Sequence, residues 1–276
     1  MKIVFKQLTK NKMATLGLVI VLVEILCALL APTIAPKDPF TQDLTKKILP
    51  PGTKDHILGT DELGRDILSR IIYGARSSMI VGMIVVVIGL SVGVVLGAIS
   101  GYFTRLDRPI MVVIDVLLSF PLILLALVIV AVLGPGLFNA MVAVGISSIP
   151  GFTRVTRGVI LSLRERDFIK AAKASGEGNF AILFVHILPN SLGPIIVQAT
   201  IRFATAILNV AALSFLGLGA QPPTSEWGTM ISTSRSYLYV APHLVMFPGL
   251  AIMCVVLGFN LFGDGLRDAL DPKLSR

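Results

Sequence analysis

Long apolar runs, separated by short charged stretches, dominate the chain. Runs from Met13 to Ala31, Met79 to Ser100, Ile110 to Leu133, Leu137 to about Val155, Leu192 to Ala220 and Leu244 to Phe262 stand out. Each is long enough to cross about 30 Å of hydrocarbon at about 1.5 Å per residue. The pattern predicts an all-α integral membrane protein with six transmembrane helices. The fourth run is interrupted by Ser147, Ser148, Pro150 and Gly151, and such breaks are tolerated only where neighbouring helices or water satisfy the backbone. That run is expected inside the bundle. Lys2, Lys6, Lys10 and Lys12 precede the first run. It exceeds a signal-peptide core and lacks a small-x-small site before Pro32, so it reads as an uncleaved anchor.

Between the first two runs, Pro32, Pro36, Pro39 and Pro50-Pro51-Gly52 exclude regular structure. An amphipathic helix is expected after them, capped by Thr60, with Asp61 and Glu62 in its first turn and Leu63, Ile67, Leu68, Ile71 and Ile72 on one face. Gly89, Gly93, Gly97 and Gly101 recur every fourth position of the second run, a small-residue stripe that lets another helix approach closely.

Charge orients this arrangement. Of 24 Lys and Arg residues, 15 fall on the side of both termini, the Arg105 region and the loop Thr156 to Asn190, and 8 on the other. The excess places both termini and that loop in the cytoplasm, and the formal charge of +8 then needs no acidic partner. Low charge and few aromatics exclude a nucleic-acid binder. Cys27 and Cys254 lie in apolar runs and His56, His186 and His243 lie far apart, so neither a disulfide framework nor a metal site is expected. There is no phosphate loop and no catalytic constellation, so no cofactor is assigned to this chain, and any ATP must be bound by another. Glu24, Asp115 and Arg202 are ionisable residues at membrane depth, candidates for lining a substrate path. An ion-coupled secondary carrier would be expected to show more such groups, and an internal repeat.

The loop Thr156 to Asn190 is too long for a connector. It predicts one helix ending at Ser175 before Gly176, and another starting from Asn179 as cap and stopping before Pro189. Here the residues resemble the membrane subunits of bacterial ATP-binding-cassette importers, in the dipeptide, oligopeptide and nickel branch. That family's loop motif runs Glu-Ala-Ala, three residues, Gly, nine residues, Ile, one residue, Leu-Pro. Lys170-Ala171-Ala172, Gly176, His186 and Leu188-Pro189 fall at those spacings. Lys170 replaces the glutamate and His186 the isoleucine, so the glutamate's contact is not carried over; Asp167 and Glu165 are the carboxylates near enough in sequence to stand in. Three further stretches, from His56, from Leu213 and from Phe247, are similar to the same branch.

The resemblance implies a type I importer transmembrane domain over residues 75–264. Residues 1–74 would form the N-terminal tail, anchor and extracytoplasmic segment, and 265–276 a cytoplasmic tail. It implies a bacterial inner-membrane location, a second, distinct permease subunit as heterodimer partner, two ATPase subunits that carry ATP and Mg, and an extracytoplasmic substrate-binding protein on which selectivity largely rests. Asp167, Lys170, Ala171, Ala172, Gly176, Leu188 and Pro189 would form the ATPase-coupling loop. Asp115, Gln198, Asn209 and Ser214 are candidates for the translocation pathway. The implied cargo is di- or oligopeptides, with nickel chelates as the alternative.

Overall fold

The computed structural model describes residues 11–270. Among them there are helices and no strands, with two isolated bridges, Thr53 to His56 and Thr60 to Asp66, pinning the first long connection. Lys2, Lys6, Lys10, Lys273 and Arg276, which entered the charge count, lie outside the described residues.

Helix α1 (Lys12–Ile34) starts where the Asn11 side chain accepts hydrogen bonds from the Met13 and Ala14 N–H groups, satisfying two donors that a helix start leaves open. Its buried positions Ala14, Gly17, Val21, Ala28 and Ala31 form a narrow seam of small residues. Glu24 falls in the same seam between Val21 and Ala28 and is half-buried, so it faces the bundle and not the lipid. Gly17 and Gly258 let α1 approach the last helix closely: a Cβ on Gly17 would lie 2.5 Å from the Phe262 nitrogen.

Helix α2 (Ile67–Tyr102) has 36 residues, about 54 Å at about 1.5 Å per residue. It absorbs most of the separate amphipathic helix expected from Thr60. The helix does not start at Thr60 because that hydroxyl is engaged elsewhere, donating to the Lys46 carbonyl at 2.5 Å and accepting from the Leu49 N–H at 2.9 Å. Asp61 instead closes a turn by accepting from the Leu63 and Arg65 N–H groups. Asp66 is the cap, accepting from the Ser69 N–H at 2.9 Å. The division drawn at residue 74 thus falls inside α2.

The Ile110 to Leu133 run is a broken element. Helices α3 (Thr104–Leu118) and α4 (Leu122–Leu133) meet at 89°. Pro121 at the junction has no N–H to give and disfavours helical geometry in the residue before it. Helix α5 (Leu137–Arg164) passes through Pro150 and Gly151 without a break. Its serines are satisfied locally, Ser147 donating to the Ala143 carbonyl and Ser148 to Val144. After α6 (Asp167–Ala174) comes α7 (Asn179–Phe215), 37 residues long, with a π-helical turn at Ile182–Ile187. The expected stop before Pro189 is absent: the residue that lacks an N–H sits where the turn changes register, so the helix continues. Asn179 is not the cap either, because its side chain accepts from the Tyr102 hydroxyl. Short α8 (Trp227–Thr233) and α9 (His243–Leu270) complete the chain.

Among the described residues, four helices (α1, α2, α7, α9) are long and apolar enough to cross a membrane, and five spans result if α3 and α4 count as one. The remaining expected span, α5, has 28 residues but a more polar composition, and it lies at the centre. The glycine stripe of α2 packs against it. A Cβ on Gly89 would come 3.0 Å from the Phe152 ring, on Gly93 2.5 Å from the Phe152 Cβ, and on Gly97 2.6 Å from the Thr156 Cβ. Gly101 meets Ile160 in the same way, and Phe152, Thr156 and Ile160 are buried. The stripe expected to serve close helix approach does so within the chain.

At the end formed by the first connection, a buried polar scaffold replaces hydrocarbon. Arg65 donates to Asp61 at 2.7 Å, Arg70 lies 3.5 Å from the same carboxylate, and His56 Nδ1 is 2.9 Å from Asp66. Trp227 donates its indole N–H to the Ile71 carbonyl at 3.1 Å, tying α8 to α2. The Glu226 side chain caps α8 through the Gly228 and Thr229 N–H groups.

Two stability outcomes follow from this packing. Gly93→Ala is expected to cost about 1–3 kcal/mol by overpacking, whereas Gly249→Ala, whose Cβ meets nothing within 4 Å, leaves the thermal midpoint of the purified protein unchanged. Asp61→Ala, which leaves the Arg65 guanidinium buried without its main partner, is expected to cost about 3–5 kcal/mol, read as a lowered midpoint in the same thermal assay.

Candidate functional site at the loop end of the bundle

Helix α6 is short and two-faced. Ile169 and Ala172 point inward and are buried, joining Ala98, Tyr102, Ile160, Ile182, Leu183 and Ile187 in one apolar cluster. Its other side exposes Phe168, Lys170, Ala171 and Ala174. The alanines keep that side low. Lys170 lies 3.6 Å from Asp167, whose side chain is fully exposed.

Gly176 ends the helix. The Gly176 N–H bonds to the Lys173 carbonyl and the Glu177 N–H to the Ala172 carbonyl, the paired closure that needs a left-handed residue between them. Gly176 supplies it with φ +82, and nothing lies within 4 Å of a Cβ built there. The requirement is thus backbone conformation and not close approach. His186, where the motif has isoleucine, reaches back to Glu177 at 2.7 Å. A side-chain hydrogen bond therefore closes the turn between α6 and α7. Leu188 is half-buried and Pro189 exposed at the same end. Phe180, Phe184 and Val185 are exposed beside them. The structure brings all seven residues of the expected coupling loop to one end of the bundle.

The four pathway candidates are not gathered into one place. Asp115 on α3 pairs with Arg154 on α5 at 2.6 Å, both largely exposed. Arg157, one turn further along α5, grips Asp107 with both nitrogens at 2.5 and 2.7 Å. Gln198 and Asn209 are half-buried on α7, where Arg202 and Thr205 share their face. Arg202 points at Gly151 of α5: a Cβ there would come 2.5 Å from its Nη2. Ser214 is buried, and its hydroxyl accepts the Ala220 N–H at 3.1 Å, so it holds the turn that leaves α7. The Asp107–Arg157 and Glu177–His186 pairs were missed in the sequence. Their partners are 50 and 9 residues apart, and only the α3–α5 packing and the α6–α7 turn bring them together.

Among the described residues no group of three or more His, Cys, Asp or Glu is placed to hold a metal ion, and Cys27 and Cys254 are free thiols.

Comparison with known proteins places this geometry. Residues 1–51 match the N-terminal transmembrane domain of oligopeptide transport permease C. Curated relatives span nearly the whole chain. The dipeptide transport system permease protein DppC of Alkalihalophilus pseudofirmus is 53% identical over 98% of this chain and 89% of its own length. The di/tripeptide transport system permease protein DppC of Pseudomonas aeruginosa is 48% identical over 96% of this chain and 89% of its own. The dipeptide permease DppC of Escherichia coli is 49% identical over 97% and 91%. Among solved structures, the inward-facing MetNI methionine ABC transporter aligns with a TM-score of 0.60 at 20% identity, covering 73% of this chain and 96% of that one, which supports the fold alone. Residues 89–276 match the inner-membrane component of binding-protein-dependent transport systems, and this chain, a permease subunit, belongs to that family.

Proposed function

We propose that this chain forms, with a second and distinct permease subunit, the pathway by which di- or oligopeptides enter a bacterial cell. A binding protein delivers the peptide from outside, and two ATPase subunits engage the α6 end from the cytoplasm. The cargo reading rests on the dipeptide and di/tripeptide relatives. The observation that carries the coupling reading is α6 itself, whose inner face is buried against the ends of α2, α5 and α7 while its outer face is open.

The mechanism follows from that attachment. An ATPase dimer that closes on ATP displaces whatever holds Phe168, Ala171 and Ala174. Because Ile169 and Ala172 are packed into the bundle, α6 transmits the displacement to α5 and α7 as a rigid body. The bundle then shifts between packings open to one side and to the other, and the peptide moves because its affinity differs between them. Lys170 leaves the glutamate contact of similar loops unfilled; Asp167, exposed one turn earlier, is the carboxylate that takes its place. Asp115, Gln198 and Asn209 are the proposed pathway contacts. Ser214 contributes by shaping the turn above them. The basic excess on that side supports a cytoplasmic position for both termini and for α6.

Gly176→Val tests the lever. Forcing a β-branched residue into left-handed backbone costs roughly 1–2 kcal/mol, so α6 is expected to lose its closure while the helices still insert. Membrane levels should hold and dipeptide uptake should fall by about tenfold or more, with Gly176→Asn near wild type because asparagine tolerates this conformation. Normal uptake by the valine variant would sink the assignment. For the cargo, cells lacking this gene should lose uptake of a labelled dipeptide; unchanged dipeptide uptake with impaired uptake of a nickel chelate would replace peptide by metal complex.

A further inference from the structure

A cleft of about 540 Å³ opens beside α6, at the level where α2 ends and α3 begins. Its volume is in the range of small-ligand sites, and its lining is unlike that of the bundle. Arg105 from α3, Arg164 from the end of α5 and Lys173 from α6 converge on it. The single acid is Glu165, which lies 3.5 Å from Arg164 and is mostly exposed, leaving the cleft with an excess of two positive charges. Arg105 has no ion pair among the described residues. Lys173 turns away from the open face of α6 and sits over the Tyr102 ring at 6.0 Å. Two of the lining residues are aromatic, Tyr102 packing edge-on against Phe103.

Three cations from three helices, with a hydroxyl from Thr104 at the rim, make a receptor for a compact, multiply accepting anion. Guanidinium forks match phosphate oxygens in pairs. Rings and cations together at a helix end are also the signature of the membrane interface, and basic pockets between spans on the cytoplasmic side take anionic headgroups. We propose that this cleft binds a phosphate group, supplied by the headgroup of an anionic phospholipid, and that the bound phosphate ties α6 to α3 and α5. The proposal rests on the orientation given above, with α6 on the cytoplasmic side. Without the anion, three like charges face one another across the contact between α6 and the bundle; with it, they hold the lever to the spans it moves.

The complete complex, reconstituted in nanodiscs of phosphatidylcholine with or without phosphatidylglycerol, tests this through binding-protein-stimulated ATP hydrolysis and through the lipid retained in native mass spectrometry. Wild type is expected to gain about fivefold in activity with phosphatidylglycerol and to retain the lipid. The variant R105Q/R164Q/K173Q should do neither, while R105K/R164K, which keeps the charge but loses the guanidinium forks, should fall between the two. Equal dependence on phosphatidylglycerol in wild type and the glutamine variant would overturn the proposal. So would loss of the ATPases from the glutamine variant in both lipids, which would make the cleft a protein contact. Activation of wild type in pure phosphatidylcholine by millimolar inorganic phosphate would keep the phosphate site and overturn the lipid source. Labelling of Ala174→Cys only from outside the cell, in a chain carrying Cys27→Ser and Cys254→Ser, would overturn the orientation while leaving the lipid result standing.

Discussion

The close approach of α2 and α5 is the constraint on which the rest of this structure depends. In hydrocarbon there is no solvent to drive helices together, so association relies on backbones coming near enough for dispersion to add up. Four glycines at every fourth position of α2 give α5 that proximity, with Phe152, Thr156 and Ile160 filling the groove. Most of the polar groups in α5 are then accommodated, the buried Thr156 hydroxyl being the exception. Its buried serines bond to their own helix, its proline sits among neighbours, and its arginines emerge only at the loop end, where Asp107 and Asp115 meet them.

The two ends of the bundle solve opposite problems. At the end of the first connection, buried charges are paired densely within the chain, with Asp61 shared between Arg65 and Arg70. Replacing such groups by hydrocarbon need not destabilise, but removing one partner does; the scaffold is therefore a set of mutual obligations that fixes where α2 begins and where α8 docks. At the other end, apolar contacts hold α6, and the ion pairs Asp107–Arg157 and Asp115–Arg154 lie partly or largely in the open. The first end is closed by charge pairs within the chain, while the second leaves one face of α6 exposed.

Much of this was legible in the sequence. Apolar runs located the bundle helices, although the third run holds two helices that meet at 89°, and the stripe from Gly89 to Gly101 announced a helix contact. Gly176 was recognisable as the end of the alanine-rich helix before it, while its left-handed backbone was settled only by the fold. What was not legible were decisions made by tertiary contacts. Thr60 looked like a cap, but the Lys46 carbonyl and Leu49 N–H claim its hydroxyl. Asn179 looked like another, but the Tyr102 hydroxyl claims it. Pro121 breaks its run while Pro150 and Pro189 do not, because the latter two lie in helices whose neighbours or altered register accommodate the missing donor. Ser214 shows the same limit: its residue type suggests a polar pathway, but its place in the chain makes it a turn.

The π turn at Ile182–Ile187 has a consequence for everything that follows it in α7. A π turn holds one residue more than an α turn, and one residue corresponds to about 100° of rotation about a helix axis. The azimuth of Gln198, Arg202 and Asn209 is thus indexed by that single extra residue. With it, Arg202 faces Gly151; were the turn to relax to α-helical winding, the polar face would swing toward a different neighbour by about a quarter of a revolution. The chain carries a phase setting between the loop end and the membrane interior.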